Sequence, residues 1–278
     1  MPIICDFPAI GWGDKMLTVE NIEKSYGGNA VKALKGVSFK VPGSEIVALL
    51  GRSGSGKSTL LRCINRLVVP DAGKIVFDGI DIGALSESGL RRLRQQIGMV
   101  FQEFNLVNRM SVIDNVLCGR AASTSIMRCM FRVFPKDEVR RAEELLDMVG
   151  IGAHRHKRAD ELSGGQRQRV GIARALMQDP KMILADEPTA SLDPATGREI
   201  MELLRGIARD SKIPVIISMH DMHLAKEFVD RVVALRSGDK VFDGPVSATD
   251  FASIYTVVEA VPAVANGDRG QKQAKRAV

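Results

Sequence analysis

The sequence is poor in the aromatic residues that stack on nucleic-acid bases, with two Tyr and one Trp among 278 residues. Its basic residues outside the C-terminal end are dispersed among acidic ones, so we do not expect nucleic acid as a partner. No apolar run approaches the length of about 18 residues that indicates a membrane-spanning helix. The N-terminus has no basic region followed by an apolar stretch, and we therefore expect no secretory signal.

Cysteine is also scarce and scattered, since the four thiols are Cys5, Cys63, Cys118 and Cys129. No two of them form a Cys-x-x-Cys pair, which argues against a zinc site and against a disulfide framework. A reducing cytosol is the compartment that fits this usage.

The formal net charge of +6 is distributed unevenly along the chain. Residues 266–278 hold four basic side chains and one acidic side chain, a net charge of +3. We interpret this segment as a solvated, flexible end. An alternative is that it contacts an anionic membrane surface or nucleic acid.

A glycine-rich stretch from Gly51 to Thr59 dominates the sequence, reading Gly-Arg-Ser-Gly-Ser-Gly-Lys-Ser-Thr. It fits the phosphate-loop pattern of Gly, four residues and Gly-Lys-Ser/Thr. The apolar run Glu45–Leu50 before it predicts a buried strand, and a helix is predicted after it from Leu60, Leu61, Ile64 and Leu67. In this setting Lys57 can reach the β- and γ-phosphates of a nucleotide, and Ser58 can offer its hydroxyl to Mg²⁺.

The remaining pattern predicts strands interleaved with helices, which indicates an α/β fold. Further strands are predicted at Leu17–Ile22, Ala33–Val41, Lys74–Gly79, Ile97–Gln102, Lys181–Ala185, Ile213–Met219, Val232–Leu235 and Lys240–Asp243. The early strands are expected to be antiparallel and to lie beside the strand that precedes the glycine loop. Helices are predicted at Leu90–Gln96, Lys136–Val149, Met222–Phe228, and after Leu162 and Asp193. No strand signal occurs between about 105 and 178, which suggests a helical insertion.

Polar residues follow several of the predicted strands. Asp186 ends an apolar run and is placed to hold Mg²⁺, and Glu187 comes next and can polarise an attacking water. Paired acids at a helix N-terminus are the alternative interpretation. Gln102 and His220 end two other strands, where they can contact the metal or water and the γ-phosphate, respectively. Either of them could instead be an ordinary polar residue at a strand end.

The segment Leu162–Gln166 reads Leu-Ser-Gly-Gly-Gln and opens a helix. Ser163 and Gln166 fit a capping box, which leaves the pair Gly164 and Gly165 unexplained. Two glycines weaken a helix start, a cost that is reasonable if the backbone approaches an anion closely. Since the chain already has one phosphate loop, this second anion site suggests a partner subunit that brings its own nucleotide.

These motifs occur in the order found in the ATP-binding subunits of ABC transporters, which the chain resembles from about Leu17 to Pro245. The resemblance implies a RecA-like P-loop ATPase core with an antiparallel β subdomain and a helical insertion. It implies an ATPase domain at 16–248, with its helical subdomain at about 105–178. An N-terminal extension (1–15) and a basic, flexible C-terminal tail (249–278) fall outside it.

The resemblance also implies a head-to-tail homodimer that encloses two ATP molecules with Mg²⁺. One subunit supplies the phosphate loop with catalytic Lys57, Glu187 and His220, and the metal residues Ser58, Gln102 and Asp186. The other supplies the signature segment Ser163, Gly164, Gly165 and Gln166, and Asp193 lies at the dimer seam. Tyr26 matches the residue that stacks on adenine, although a core position is the alternative. The phosphate-loop contacts are made by Gly51, Arg52, Ser53, Gly54, Ser55, Gly56, Lys57, Ser58 and Thr59.

Within this family the segment Phe101–Val112 and the segment 127–134 are similar to the phosphonate importer ATPases. Polar amino-acid importer ATPases share the Phe-Gln-x-Phe-Asn-Leu part, so an importer for polar amino acids or phosphate is the alternative. The implied partners are a membrane permease and, indirectly, an external solute-binding protein, with the chain peripheral on the cytoplasmic face of the inner membrane. Residues Met127, Met130, Phe131 and Phe134 either line the permease groove or fill the helical subdomain's own core.

Two other classes of protein compete with this interpretation. Soluble ABC ATPases that act on nucleic acid resemble tandem cassettes or carry coiled coils, zinc modules or large inserts, none of which occurs here. A phosphate-loop kinase for small molecules would transfer phosphate to an acceptor and would not need the segment Leu162–Gln166.

Overall fold

Ten strands in two sheets carry the architecture of the computed structural model, which describes residues 16–28, 30–121 and 134–255. The predicted extension at 1–15, the predicted groove residues Met127, Met130 and Phe131, and the tail from 256 onward lie outside the described residues. In the described part the α/β fold class predicted from the sequence is confirmed.

The larger sheet has six strands in the order β10-β9-β3-β8-β7-β6. Five of them run parallel, and β10 pairs antiparallel with β9 at one edge. Their bounds are Ile46–Leu50 (β3), Ile97–Val100 (β6), Met182–Asp186 (β7), Val215–Met219 (β8), Arg231–Arg236 (β9) and Asp239–Pro245 (β10). Every residue of β3, β7 and β8 is buried, as expected for central parallel strands with apolar runs.

The early strands form a separate sheet of four antiparallel strands in the order β2-β1-β4-β5. Their bounds are Leu17–Tyr26 (β1), Val31–Val41 (β2), Ala72–Phe77 (β4) and Ile80–Asp81 (β5). The sequence pattern predicts that these strands are antiparallel, which is confirmed, and that they lie beside β3. They instead pack against the layer that contains β3, because β1 and β2 contribute buried apolar residues to the core that Val47 and Leu49 of β3 share.

All but the last of the described helices lie in the connections between the parallel strands, and the last follows β10. Their bounds are Lys57–Ile64 (α1), Glu87–Gln96 (α2), Val112–Leu117 (α3), Lys136–Met148 (α4), Gly164–Leu176 (α5), Pro194–Ser211 (α6), Met222–Phe228 (α7) and Phe251–Tyr255 (α8). Helices α4, α5, α6 and α7 begin within two residues of the predicted positions, and α1 and α2 each begin three residues before the first predicted helical residue. Helix α8 falls at the start of the predicted tail, where it buries Phe251 and Ile254 in the larger core.

The side chains of β3 alternate between two apolar cores. Val47 and Leu49 belong to the core shared with the smaller sheet and α1, whereas Ala48 and Leu50 face the core built with α3 to α8. Strand β3 therefore lies between the two cores. The loop that leaves its carboxyl end emerges at the sheet edge where ligands bind in open α/β sheets.

Within the ranges that the structure describes, every helix is too short or too polar to span a bilayer.

Candidate functional site

The phosphate loop connects β3 to α1 in a conformation that only glycine permits at two points. A Cβ atom on Gly51 would lie 2.3 Å from the carbonyl oxygen of Leu235, and one on Gly56 would lie 2.4 Å from that of Ala33. Gly56 also has φ of 104°, in the left-handed region. The glycines thus let the loop pack tightly against neighbouring backbone as it turns into α1.

Lys57, the first residue of α1, is 4% exposed and is held by the loop. Its Nζ donates hydrogen bonds to the carbonyl oxygens of Gly51 at 2.8 Å and Arg52 at 3.1 Å. The same atom lies 3.5 Å from a carboxylate oxygen of Glu187. The structure therefore brings the lysine and one of the two predicted acids together.

Asp186 ends β7, and its carboxylate is almost completely buried. Its Oδ1 accepts hydrogen bonds from the hydroxyls of Ser58 at 2.7 Å and Ser218 at 2.8 Å. Ser58 and Asp186 are two of the three predicted metal residues, and they are in direct contact. Arg62 adds a longer ion pair at 3.7 Å.

The sequence pattern does not single out Ser218, although its hydroxyl contacts both acids of this site. Its hydroxyl donates to Asp186 and accepts from the backbone N–H of Glu187 at 2.9 Å. The available signal was its polarity, because it interrupts the apolar strand β8 that reads Val-Ile-Ile-Ser-Met.

Glu187 leaves the strand with a φ of 44°, an uncommon left-handed conformation for glutamate. Its carboxylate lies between Lys57 and His220, whose Nδ1 is 3.9 Å from Oε2. The side chain is 18% exposed, so it faces open space beside the loop. Adjacent acids therefore have different surroundings, since Asp186 is enclosed by hydroxyls and Glu187 is accessible.

A cavity of about 260 Å³ lies over the phosphate loop. Gln102 and Glu187 line it together with Ala33, Ser53, Gly54, Gly56, Lys57, Ser58 and Thr59. Gln102 lies two residues beyond the end of β6 rather than on the strand. A second cavity of about 390 Å³ adjoins Glu187 and is lined by Asp193 and His220 among others.

The residues around the loop fit a magnesium ion that is held mostly by phosphate oxygens and water. A serine hydroxyl and a buried carboxylate are oxygen donors of the kind that Mg²⁺ prefers. Over the described residues, no group of three or more His, Cys, Asp or Glu side chains could hold a metal by itself. Among the residues that the structure describes, the buried hydroxyl of Ser55 has no hydrogen-bond partner. A phosphate oxygen is a group able to accept its hydrogen bond.

The segment Ser163–Gln166 is a helix start outside both cavities. Ser163 accepts a hydrogen bond from the backbone N–H of Gln166 at 3.3 Å, and Gln166 accepts one from that of Ser163 at 3.0 Å, which forms the predicted capping box. Gly165 also has a packing role, because a Cβ atom there would lie 2.4 Å from Cγ2 of Thr196. Packing within the chain thus explains why position 165 is glycine.

Asp193 caps α6 through its side chain, which accepts a hydrogen bond from the backbone N–H of Thr196 at 3.0 Å. Hydrogen bonds from the side chain and the backbone of Thr196 lower the pKa of Asp193. Tyr26 ends β1 and is 44% exposed, with Val31 as its partner across the strand pair. The exposed ring is not in the core, which was the alternative position for it.

A mostly parallel sheet with a glycine loop after β3 and acids at the end of β7 defines a phosphate-loop ATPase fold. The antiparallel sheet and the helices α3 to α5 specify the class further, as an ATP-binding cassette.

The sequence profile of the ABC transporter family matches residues 34–190, and the chain belongs to this family. The phosphonates import ATP-binding protein PhnC of Nitratidesulfovibrio vulgaris is 55% identical over 237 residues, which cover 85% of this chain and 89% of that protein. PhnC 2 of Haloarcula marismortui is 52% identical over 238 residues, covering 86% and 88%.

Solved structures of ATP-binding cassettes share the fold. The cassette MJ0796, in a dimeric post-hydrolysis state bound to ADP and Pi, matches with a TM-score of 0.74 and 34% identity, covering 83% of this chain and 99% of that one. The cassette MJ1267 in its ADP conformation matches with a TM-score of 0.75 and 29% identity, covering 87% and 98%.

Proposed function

We propose that the chain is the ATP-hydrolysing subunit of an ABC importer for phosphonates. The observation that carries the proposal is the convergence of Lys57, Ser58, Asp186 and Glu187 at the phosphate loop. The import of phosphonates is inferred from the names of relatives that are 52–55% identical over most of the chain.

In this proposal the loop backbone and Lys57 bind the β- and γ-phosphates of ATP, and the amine exchanges the carbonyl oxygens of Gly51 and Arg52 for phosphate oxygens. Ser58, Gln102 and Asp186 hold Mg²⁺, which when bound neutralises charge that develops on the phosphates. Tyr26 stacks on the adenine with its exposed ring.

Glu187 accepts a hydrogen bond from the attacking water and orients it toward the γ-phosphorus. The water oxygen bonds to the γ-phosphorus while the bond from that phosphorus to the bridging oxygen breaks, and the water gives up a proton to Glu187, so that ADP and phosphate are the products. His220 stabilises the γ-phosphate from the side of Glu187. The tether from Ser218 to the backbone of Glu187 keeps the acid at the mouth of the cavity.

The proposed assembly is a head-to-tail homodimer on the cytoplasmic face of the membrane. The dimer is bound to a permease, and an external solute-binding protein delivers the substrate to that permease. Ser163, Gly164, Gly165 and Gln166 complete the site of the opposite subunit, and Asp193 lies at the seam. The ATPase unit is proposed to span 16–248, with α8 packed on its larger core through Phe251 and Ile254. Its helical subdomain, at about 105–178, is proposed to dock the permease.

The test is ATP hydrolysis by the chain reconstituted in lipid with the permease that purifies with it. Phosphonate-loaded binding protein is compared with binding proteins loaded with phosphate or with a polar amino acid. Stimulation by the phosphonate protein alone supports the proposal. Stimulation by another ligand refutes the substrate but keeps the importer. If the chain purifies without any permease and binds RNA or DNA in a salt-sensitive manner, it would instead be a soluble ABC ATPase.

A further inference from the structure

The loop that follows Gln102 contains two consecutive residues in the left-handed conformation, Phe104 with φ of 61° and Asn105 with φ of 48°. Neither is glycine, and left-handed backbone is uncommon for a bulky aromatic residue. Such a conformation persists only where surrounding contacts hold it. The carbonyl oxygens of both residues accept hydrogen bonds from one side chain, Arg174.

Arg174 lies 70 residues further along the chain, near the end of α5. Its Nη2 donates to the carbonyl oxygen of Phe104 at 2.8 Å, and its Nη1 donates to that of Asn105 at 2.5 Å. The planar fork of a guanidinium suits two adjacent acceptors, whereas a lysine ammonium lacks this fixed geometry. Burial lowers the pKa of Arg174, but arginine remains charged at neutral pH.

Other contacts fix the same loop along α5. The guanidinium of Arg167 lies 5.5 Å from the centre of the Phe104 ring. A Cβ atom on Gly164 would lie 3.9 Å from that ring. The loop therefore follows α5 from the signature segment at its start to Arg174 near its end.

The far end of the loop is held by α3. Asn115 is buried, accepts a hydrogen bond from the backbone N–H of Val107 at 2.8 Å, and donates one to its carbonyl oxygen at 3.1 Å. Helix α3 leads into a turn that meets α5 closely, since a Cβ atom on Gly119 would lie 2.5 Å from the carbonyl oxygen of Arg174. The loop that follows Gln102 is thus tethered first to α5, at Phe104 and Asn105, and then to α3, at Val107.

We propose that Arg174 is a positioning residue that sets the location of Gln102 by clamping the carbonyl oxygens of Phe104 and Asn105 to the signature helix. This inference rests on the proposed ATPase function for its kinetic consequence. Because the clamp joins the loop to α5, Gln102 and the signature segment of one subunit keep a fixed relation to each other.

The kinetic test compares Arg174→Lys with Arg209→Lys, which makes the same change on an exposed position of α6. We expect Arg174→Lys to lower kcat by about tenfold to a hundredfold, because small misplacements of a positioned group are costly. KM for ATP should change by less than about threefold, since the phosphate loop is untouched. The Arg209→Lys control should match the wild type.

A double-mutant cycle separates positioning from general structural damage. If Arg174 acts through Gln102, adding Arg174→Lys to Gln102→Ala should lower kcat by no more than about twofold further. If kcat of the double variant instead falls by the product of the two single-variant losses, the proposal is overturned.

Amide hydrogen exchange tests the clamp without relying on ATP hydrolysis. In Arg174→Lys, we expect exchange at residues 104–107 to be about tenfold faster, while amides in α1 keep the wild-type rate. Phe104→Leu acts on the same clamp from the loop side and should give the same pattern if Arg174→Lys does not fold. Unchanged exchange at 104–107 in a folded variant would refute the clamp. A wild-type protein without ATPase activity would refute the proposed function and leave this measurement valid.

Discussion

At the scale of single residues, the neighbouring acids Asp186 and Glu187 show how one sequence motif produces two different environments. Hydroxyls of Ser58 and Ser218 enclose the first carboxylate. The second leaves the strand in a left-handed conformation and faces the loop cavity beside Lys57. Only the second is accessible to a water molecule above the phosphate loop, so the two acids suit metal binding and water activation, respectively.

The Glu187→Gln substitution tests this division of roles. We expect hydrolysis to fall by at least about a hundredfold, equivalent to roughly 3 kcal/mol of transition-state stabilisation, because the amide is a poor acceptor for the water proton. ATP binding should persist, since the phosphate-loop atoms are unchanged, and ATP-bound dimer should accumulate. Steady-state hydrolysis and size-exclusion chromatography with ATP measure these two results.

The matched control is Glu202→Gln, which removes a carboxylate from an exposed position of α6. It should leave both hydrolysis and dimer content at the wild-type level. Hydrolysis by Glu187→Gln at the wild-type rate would show that this acid does not orient the water.

At the scale of elements, the contact between the starts of α5 and α6 explains why position 165 is glycine. The capping box alone does not explain this choice. Gly165→Ala would place a methyl group 2.4 Å from Cγ2 of Thr196. We expect a loss of about 1–3 kcal/mol in the free energy of unfolding, as for overpacked sites. Thr196→Ser removes the obstructing methyl group and keeps the hydroxyl, so the double variant should recover most of the loss in urea denaturation.

Gly206→Ala is the control for this pair, since it lies within α6 and its new methyl group would meet nothing within 4 Å. It should stabilise the protein by about 0.5–1 kcal/mol through helix propensity and reduced freedom of the unfolded chain. Equal destabilisation by both alanine substitutions would mean that the contact with Thr196 is not the cause.

The cap of α6 predicts a dependence of stability on pH. Hydrogen bonds from Thr196 lower the pKa of Asp193, so the charged cap contributes stability above the ordinary aspartate pKa near 4 and loses it as the pH falls through the lower folded value. Asp193→Ser retains a capping oxygen without a titratable group. The wild type should therefore lose its advantage over Asp193→Ser below about pH 4 in thermal unfolding.

Asp210→Ser is the matched control, because it removes an exposed carboxylate from the last turn of the same helix. A constant stability difference between the wild type and Asp193→Ser from pH 7 to 3 would refute a charged cap at this position.

The elements were largely predictable from the sequence, and the exceptions have physical causes. Apolar runs located β3, β7 and β8 within a residue or two, because central parallel strands are buried on both faces. The division of the strands into two sheets was not predictable. The alternation of apolar and polar residues shows which face of a strand is buried, but it does not show which strand pairs with it. The contacts of Arg174 and Ser218 join residues 70 and 32 positions apart, which spacing along the chain does not reveal.

At the scale of the whole molecule, the two apolar cores on either side of the larger sheet place the site at its carboxyl edge. Strand β3 contributes to both cores, so the loop that follows it is anchored from both layers. The signature segment lies outside the cavities at this edge, at the start of a helix that belongs to only one of the cores. If the signature segment completes a nucleotide site, as proposed, one chain presents the two halves of that site at separate places, and a head-to-tail dimer is the arrangement that joins them.

Mixing two inactive variants tests this arrangement. Lys57→Ala disables the phosphate loop, whereas Ser163→Asp keeps a good capping residue at the start of α5 but places a negative charge where the partner's γ-phosphate is expected. Each variant alone should hydrolyse almost no ATP. In a head-to-tail mixed dimer, one site carries both changes and the other carries neither. An equal mixture should therefore recover up to about a quarter of wild-type activity if subunits pair at random. Mixing either variant with a chain that carries both changes leaves no intact site and should give no recovery. If the two single variants fail to complement each other although mixed dimers form, Ser163 does not act on the partner's nucleotide.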